Sequence, residues 1–131
     1  MKKQTELGRL SEMEMEVLRE VWGMAAPATV SRVLAIFAER YGWKSSTLST
    51  IMDRLIEKGY LTKTMHGKAN VYTPALSEAA YKEHETRAFM AAVHNGSVKS
   101  FVAALTDGSG MNADEIAEIR SWFHEKAGEE L

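Results

Sequence analysis

The feature that most restricts the fold is a change of hydrophobic period after Gly59. Before it, apolar residues recur at helical spacing; after it, Leu61-Thr62-Lys63-Thr64-Met65 alternates, and Asn70-Val71-Tyr72-Thr73 is β-branched and aromatic up to Pro74. Three helical segments precede the switch. Ser11 and Glu14 form a capping box ahead of Met13, Val17, Leu18, Val21 and Trp22, which predicts a helix from Ser11 to Gly23 with Gly23 as a left-handed stop. Ala26-Pro27 extends the chain. Thr29 caps a second helix through Val30, Val33, Leu34, Phe37 and Tyr41, ending near Gly42. The third, roughly Ser46 to Lys58, carries Leu48, Ile51, Met52, Leu55 and Ile56 and is closed by Gly59. The alternating part then reads as a hairpin whose loop, His66-Gly67-Lys68-Ala69, is about four residues long. Three helices and a hairpin predict a winged helix-turn-helix over residues 8–76, because a bare helical bundle leaves the alternation unexplained.

From Ser77 the period is helical again, to a stop at Asn95-Gly96. Ser97 caps a short segment from Val98 to Leu105, Thr106 to Met111 is a joint, and Asn112 with Glu115 opens a last helix. These three helices are too short to wrap a core of their own. The fold expected is therefore mainly α with a small β-hairpin, a winged helix over 8–76 and a helical dimerisation region over 77–131. Phe89, Val93, Phe101, Val102, Leu105, Ile116, Ile119, Trp122 and Phe123 supply more apolar surface than this region can hide internally, which points to a homodimer.

A net charge of −2 on 131 residues argues at first against a nucleic-acid partner. The average conceals an asymmetry: residues 1–76 carry 11 Lys+Arg against 8 Asp+Glu, and residues 77–131 carry 5 against 10. The helix before the hairpin, moreover, is polar in an unusual way. Its solvent side shows Ser46, Thr47, Ser49, Thr50, Asp53 and Arg54, where long Glu and Lys side chains would favour helix more. Short hydroxyls let a helix lie close to a phosphate backbone and base edges; a merely polar first turn with Ser45 or Ser46 as its cap is the plainer alternative. Lys63, His66 and Lys68 surround the hairpin tip at Gly67, and Lys44 and Lys58 flank the helix. The expected DNA contacts are thus Lys44, Ser46, Thr47, Ser49, Thr50, Arg54, Lys58, Lys63 and Lys68.

Other chemistry is poorly supported. Without cysteine there is no disulfide, thiolate nucleophile or zinc ribbon. His66, His84, His94 and His124 are scattered, no G-x-S-x-G or glycine-rich phosphate loop occurs, and the eight methionines read as core filler, so neither an enzyme nor a metal or other cofactor is expected. The longest apolar runs, Val33 to Ala38 and Ala88 to Val93, fall far short of the roughly 18 residues that span a bilayer. The start, Met1-Lys2-Lys3-Gln4-Thr5, lacks the apolar core of a signal peptide, so a cytoplasmic address is expected, with no membrane partner.

Leu10-Ser11-Glu12-Met13-Glu14-Met15-Glu16-Val17-Leu18, Trp22, the run from Thr47 to Leu61, Tyr72-Thr73-Pro74 and Asn95-Gly96-Ser97-Val98-Lys99-Ser100 together resemble the penicillinase-repressor family of BlaI/MecI/CopY type. The resemblance covers about residues 8 to 125. It implies a dimeric winged-helix repressor that binds operator dyads in double-stranded DNA, with Thr47, Thr50 and Arg54 at the DNA. Many members carry Lys or Arg at the positions of Ser46 and Ser49, which implies fewer phosphate contacts here or a different half-site. The copper-responsive branch uses cysteine ligands that this chain lacks. In the β-lactam branch a membrane sensor protease cuts an Asn-Phe bond after the N-G-S-x-K-S motif; the equivalent bond here is Ala104-Leu105, so an inactivating protease of that specificity meets a different sequence. The rival reading is a winged-helix adaptor that binds protein through the same helix without sequence-specific DNA binding.

Overall fold

The computed structural model describes residues 7–25, 27–108 and 110–130. The order of elements is α1 (Glu12–Gly23), β1 (Ala28–Thr29), α2 (Val30–Tyr41), α3 (Ser45–Glu57), β2 (Leu61–His66), β3 (Ala69–Pro74), α4 (Glu78–His94), α5 (Val98–Asp107) and α6 (Ala113–Glu130). Mostly helical, with one small antiparallel sheet, this is the winged-helix arrangement that the change of period predicts. Signals on residues 1–6, Ala26 and Ser109, including the lysine-rich start and parts of the extended stretch and of the 106–111 joint, lie outside the described residues.

Local capping chemistry sets most boundaries. The Ser11 amide donates to Glu14 Oε1 at 2.8 Å and the Glu14 amide to Ser11 Oγ at 3.2 Å, closing the capping box of α1. Thr29 Oγ1 accepts from the Arg32 amide at the start of α2. Gly42 ends α2 at φ 71°, a left-handed turn that a side chain would strain.

Four local expectations need correction. Gly23 stays helical, and the chain leaves α1 through Met24 in an extended conformation (φ −90°, ψ 131°). The N-cap of α3 is Lys44, with no side-chain cap bond, so neither Ser45 nor Ser46 plays that part. The hairpin loop is two residues, Gly67-Lys68, because His66 pairs with Ala69. The sheet also has a third strand: β1 pairs with β3, Ala28 opposite Tyr72 and Thr29 opposite Val71, giving the order β1-β3-β2. A two-residue strand has no period to read, so nothing in the pattern announces it.

The core gathers one face of each helix. Val17, Leu18 and Val21 of α1, Val33 and Phe37 of α2, and Leu48, Ile51, Met52 and Leu55 of α3 pack with Tyr60, Leu61 and Tyr72 of the hairpin. Trp22 donates through Nε1 to the Leu76 carbonyl at 3.1 Å and lies 5.4 Å from the Tyr81 ring, which is 5.8 Å from Tyr60. These contacts tie the first turn of α4 to the winged helix, and the chain divides into compact units between Lys82 and Glu83.

The second unit is of another kind. None of its described residues is buried. Its local order comes from caps and aromatic contacts: Ser97 Oγ accepts from the Ser100 amide, Asn112 and Glu115 exchange capping bonds of 3.1 and 2.9 Å, and Phe89, His94 and Phe101 meet edge to face at 5.3–6.2 Å.

Candidate nucleic-acid interface

Burial of Leu48, Ile51, Met52 and Leu55 turns the opposite side of α3 outward. Ser46, Thr47, Thr50, Asp53 and Arg54 are exposed there and Ser49 is half-buried at the margin. The hydroxyls are not equivalent: Thr50 Oγ1 donates to the Ser46 carbonyl at 3.0 Å, so its proton is engaged within the helix while its lone pairs face outward.

The start of α3 is set by aromatic packing rather than by a cap. Trp43 stacks on Phe37 at 4.9 Å, with the planes 15° apart, and lies 5.6 Å from Tyr41. This holds the turn that delivers Lys44 to the head of the helix, where that residue's carbonyl accepts from the Thr47 and Leu48 amides. Behind the turn, Arg40 bridges Glu16 at 2.7 Å and Glu20 at 2.9 Å, and the Tyr41 hydroxyl donates to Glu16 at 2.8 Å. The Tyr41 hydrogen bond, aided by Arg40 against a desolvation cost, holds the Glu16 carboxyl below the usual carboxylate range. That network joins the end of α2 to α1 and leaves Arg40 neutralised.

Of the cations expected at DNA, Lys44, Arg54, Lys63 and Lys68 are exposed and make no ion pair or side-chain hydrogen bond among the described residues. Lys63 and Lys68 belong to the wing, where β2 is exposed from Thr62 to His66. Lys63 sits opposite Tyr72 in the ladder, and the Tyr72 hydroxyl is pushed above its ordinary pKa by burial and then by the negative charge of Asp53 on α3. Tyr72 shares the buried core with Leu48, Ile51, Met52 and Leu55, which joins the wing to α3.

Lys58 is the exception. Its ammonium reaches Glu14 Oε1 at 2.5 Å and the Arg9 carbonyl at 2.7 Å, so the structure commits it internally, away from the expected phosphate contacts. Charge counting cannot see this, since the partner is 44 positions away and its glutamate is already explained by the capping box. The Arg40 network was missed for the same reason.

In the second unit Phe89, Val93, Leu105, Ile119, Trp122 and Phe123 are exposed, and Phe101, Val102 and Ile116 are half-buried. His84 Nδ1 lies 3.8 Å from Glu85, and no group of three or more His, Asp or Glu among the described residues is arranged to hold a metal ion. No described helix is long and apolar enough to cross a membrane.

The family model described as penicillinase repressor matches residues 10–125. The chain belongs to the penicillinase repressor family. It is similar to the penicillinase repressor of Bacillus licheniformis, 29% identical over 111 residues, 85% of this chain and 86% of that protein. It is also similar to the methicillin resistance regulatory protein MecI of Staphylococcus aureus (strain N315), 25% identical over 89% of this chain and 94% of that one. Among solved structures, the DNA-binding domain of the repressor BlaI matches with a TM-score of 0.51 and 31% identity, covering 62% of this chain and 94% of that domain. The part matched is of the size of the winged helix, so the fold of the first unit is shared with a domain described as DNA-binding.

Proposed function

We propose that this family member is a transcriptional repressor that binds a palindromic operator as a homodimer, with α3 in the major groove and the β2–β3 wing beside it. The observation that carries this reading is the set of exposed cations, Lys44, Arg54, Lys63 and Lys68, that are unpaired among the described residues and surround the hydroxyl face of α3. Cations without protein partners are available to phosphates, whose neutralisation releases counterions and dominates affinity. Short hydroxyls and Arg54 beside them suit close backbone and base-edge contacts. The likeness to repressors over most of the chain supports the class of function, and the likeness to the BlaI DNA-binding domain supports DNA binding by the first unit. In this reading Lys44, Lys63 and Lys68 meet phosphates, and Ser46, Thr47, Ser49, Thr50 and Arg54 meet the groove.

The exposed apolar residues of the second unit support the dimer, since Phe89, Trp122 and Phe123 are each about half exposed in a single chain (46%, 53% and 50%). Two copies would present two copies of α3 to half-sites about one helical turn apart. The protein would act in the cytoplasm and carry out no catalysis. An inactivating protease acting at Ala104-Leu105 would meet helical backbone, because that bond lies inside α5, and would require local unwinding.

The test is selection of bound fragments from the source genome, followed by titration of the strongest duplex at rising salt. Affinity is expected to fall steeply with salt, and Lys68→Ala to flatten the log–log slope by about one unit. Binding indifferent to salt, or no selected fragment, overturns the reading.

A further inference from the structure

The C-terminal end of α3 is held by a cluster that the DNA contacts do not explain. Glu14 is the one charged side chain buried among the described residues, at 2% exposure. Its Oε1 accepts from the Ser11 amide at 2.8 Å and from Lys58 Nζ at 2.5 Å. Lys58 Nζ also donates to the Arg9 carbonyl at 2.7 Å, and the Gly8 amide donates back to the Lys58 carbonyl at 3.1 Å. The Tyr60 hydroxyl completes the ring by donating to the Gly8 carbonyl at 2.6 Å. Gly8 lies so close to the Lys58 stem that a Cβ there would stand 2.7 Å from Lys58 Cγ. The segment before α1 is thus laced to the last turn of α3 through both main chain and side chains. Burial pushes the Glu14 carboxyl up, yet its bonds to Lys58 and Ser11 and the nearby ammonium outweigh this and hold it below the ordinary range.

Lys58, the C-cap of α3, lies one turn beyond Arg54, and its amide donates to the Arg54 carbonyl at 2.9 Å. Arg54, Glu57, Lys58, Glu14 and Ser11 border one cleft. We infer that Glu14 and Lys58 are positioning residues for DNA binding: their ion pair sets the rotation and depth of α3, and so the place of Arg54, without either residue touching DNA. This role rests on the proposed repressor function. It makes Lys58 a different kind of residue from Lys44, Lys63 and Lys68, although all four look alike by charge.

A phosphate ligand and a positioning residue differ in salt dependence, because only the first releases counterions. The test titrates the duplex selected from the source genome with wild type, Glu14→Gln, Lys58→Met and the double variant over a range of salt. Glutamine keeps an acceptor for the Ser11 amide and methionine keeps the stem over Gly8, so both variants preserve the α1 cap. Each single variant is expected to bind roughly tenfold more weakly with an unchanged salt slope, and the double variant no more weakly than either, as coupled partners require. A slope flattened by about one unit in Lys58→Met with Glu14→Gln silent would mark Lys58 as a phosphate contact and overturn the inference. Affinities equal to wild type in both variants would overturn it too. Exchange of the Gly8 amide, which donates to the Lys58 carbonyl, reads the lacing in the free protein without DNA: faster exchange in both variants is expected, and unchanged protection overturns it. Failure of the wild-type chain to bind any DNA removes the proposed function and this role together, whereas normal wild-type binding with a Lys58-only slope change removes this role alone.

Discussion

The two units use the same local devices to different ends. α1 and α6 both begin with a reciprocal capping box, Ser11 with Glu14 and Asn112 with Glu115. α1 then buries Val17, Leu18 and Val21 in a core completed by residues far along the chain, such as Tyr72, 55 positions after Val17. No described residue of α6 is buried. The cap starts a helix in either place, but only burial makes it part of a cooperative fold, because most helical stability in proteins comes from packing an amphipathic face.

The largest effect that can break this comparison is in the core. Phe37 is fully buried, and Phe37→Ala is expected to cost about 3–5 kcal/mol in urea unfolding followed by tryptophan fluorescence. Trp122, 53% exposed, is expected to behave differently: on the proposed dimer, Trp122→Ala should weaken self-association by about 2 kcal/mol in sedimentation equilibrium while the first unit stays folded. A Trp122 variant that unfolds the winged helix would erase the distinction between the units. The caps give a finer test. Ser11→Ala is expected to cost about 1 kcal/mol of the cooperative transition, whereas Asn112→Ala should lower helical content seen by circular dichroism without moving that transition. The smallest effect is a pH dependence confined to the first unit. Glu14 has a lowered folded-state pKa, so its contribution is present above the unfolded value and is lost on acidification from about pH 4.3 downward, and Glu14→Gln should flatten that limb of the stability curve.

How much of this was legible depends on range. Helix starts at Ser11, Thr29, Ser97 and Asn112 follow from side chains three residues from the amides they cap, and the hairpin from an alternation inside one short segment. The hydroxyl face of α3 was legible because its apolar residues already define the opposite side. Gly23 misled because glycine permits a left-handed stop without requiring one. The start of α3 was not legible because it has no side-chain cap, and Trp43 stacking on Phe37 of the preceding helix is a contact between elements.

By itself the sequence determined the winged-helix order of elements, the outward face of α3 and the contrast between a core-forming and an apolar but coreless half, since each depends on periodicity within a helix or strand. Only the tertiary structure decided that β1 joins the sheet, that Tyr81 belongs with the first unit, and which cations are unpaired among the described residues. The physical reason lies in Lys58. A charge seen in sequence is a potential partner for anything, and whether it meets a phosphate or a carboxylate depends on which surface the fold brings to within hydrogen-bonding distance, here Glu14 at 2.5 Å.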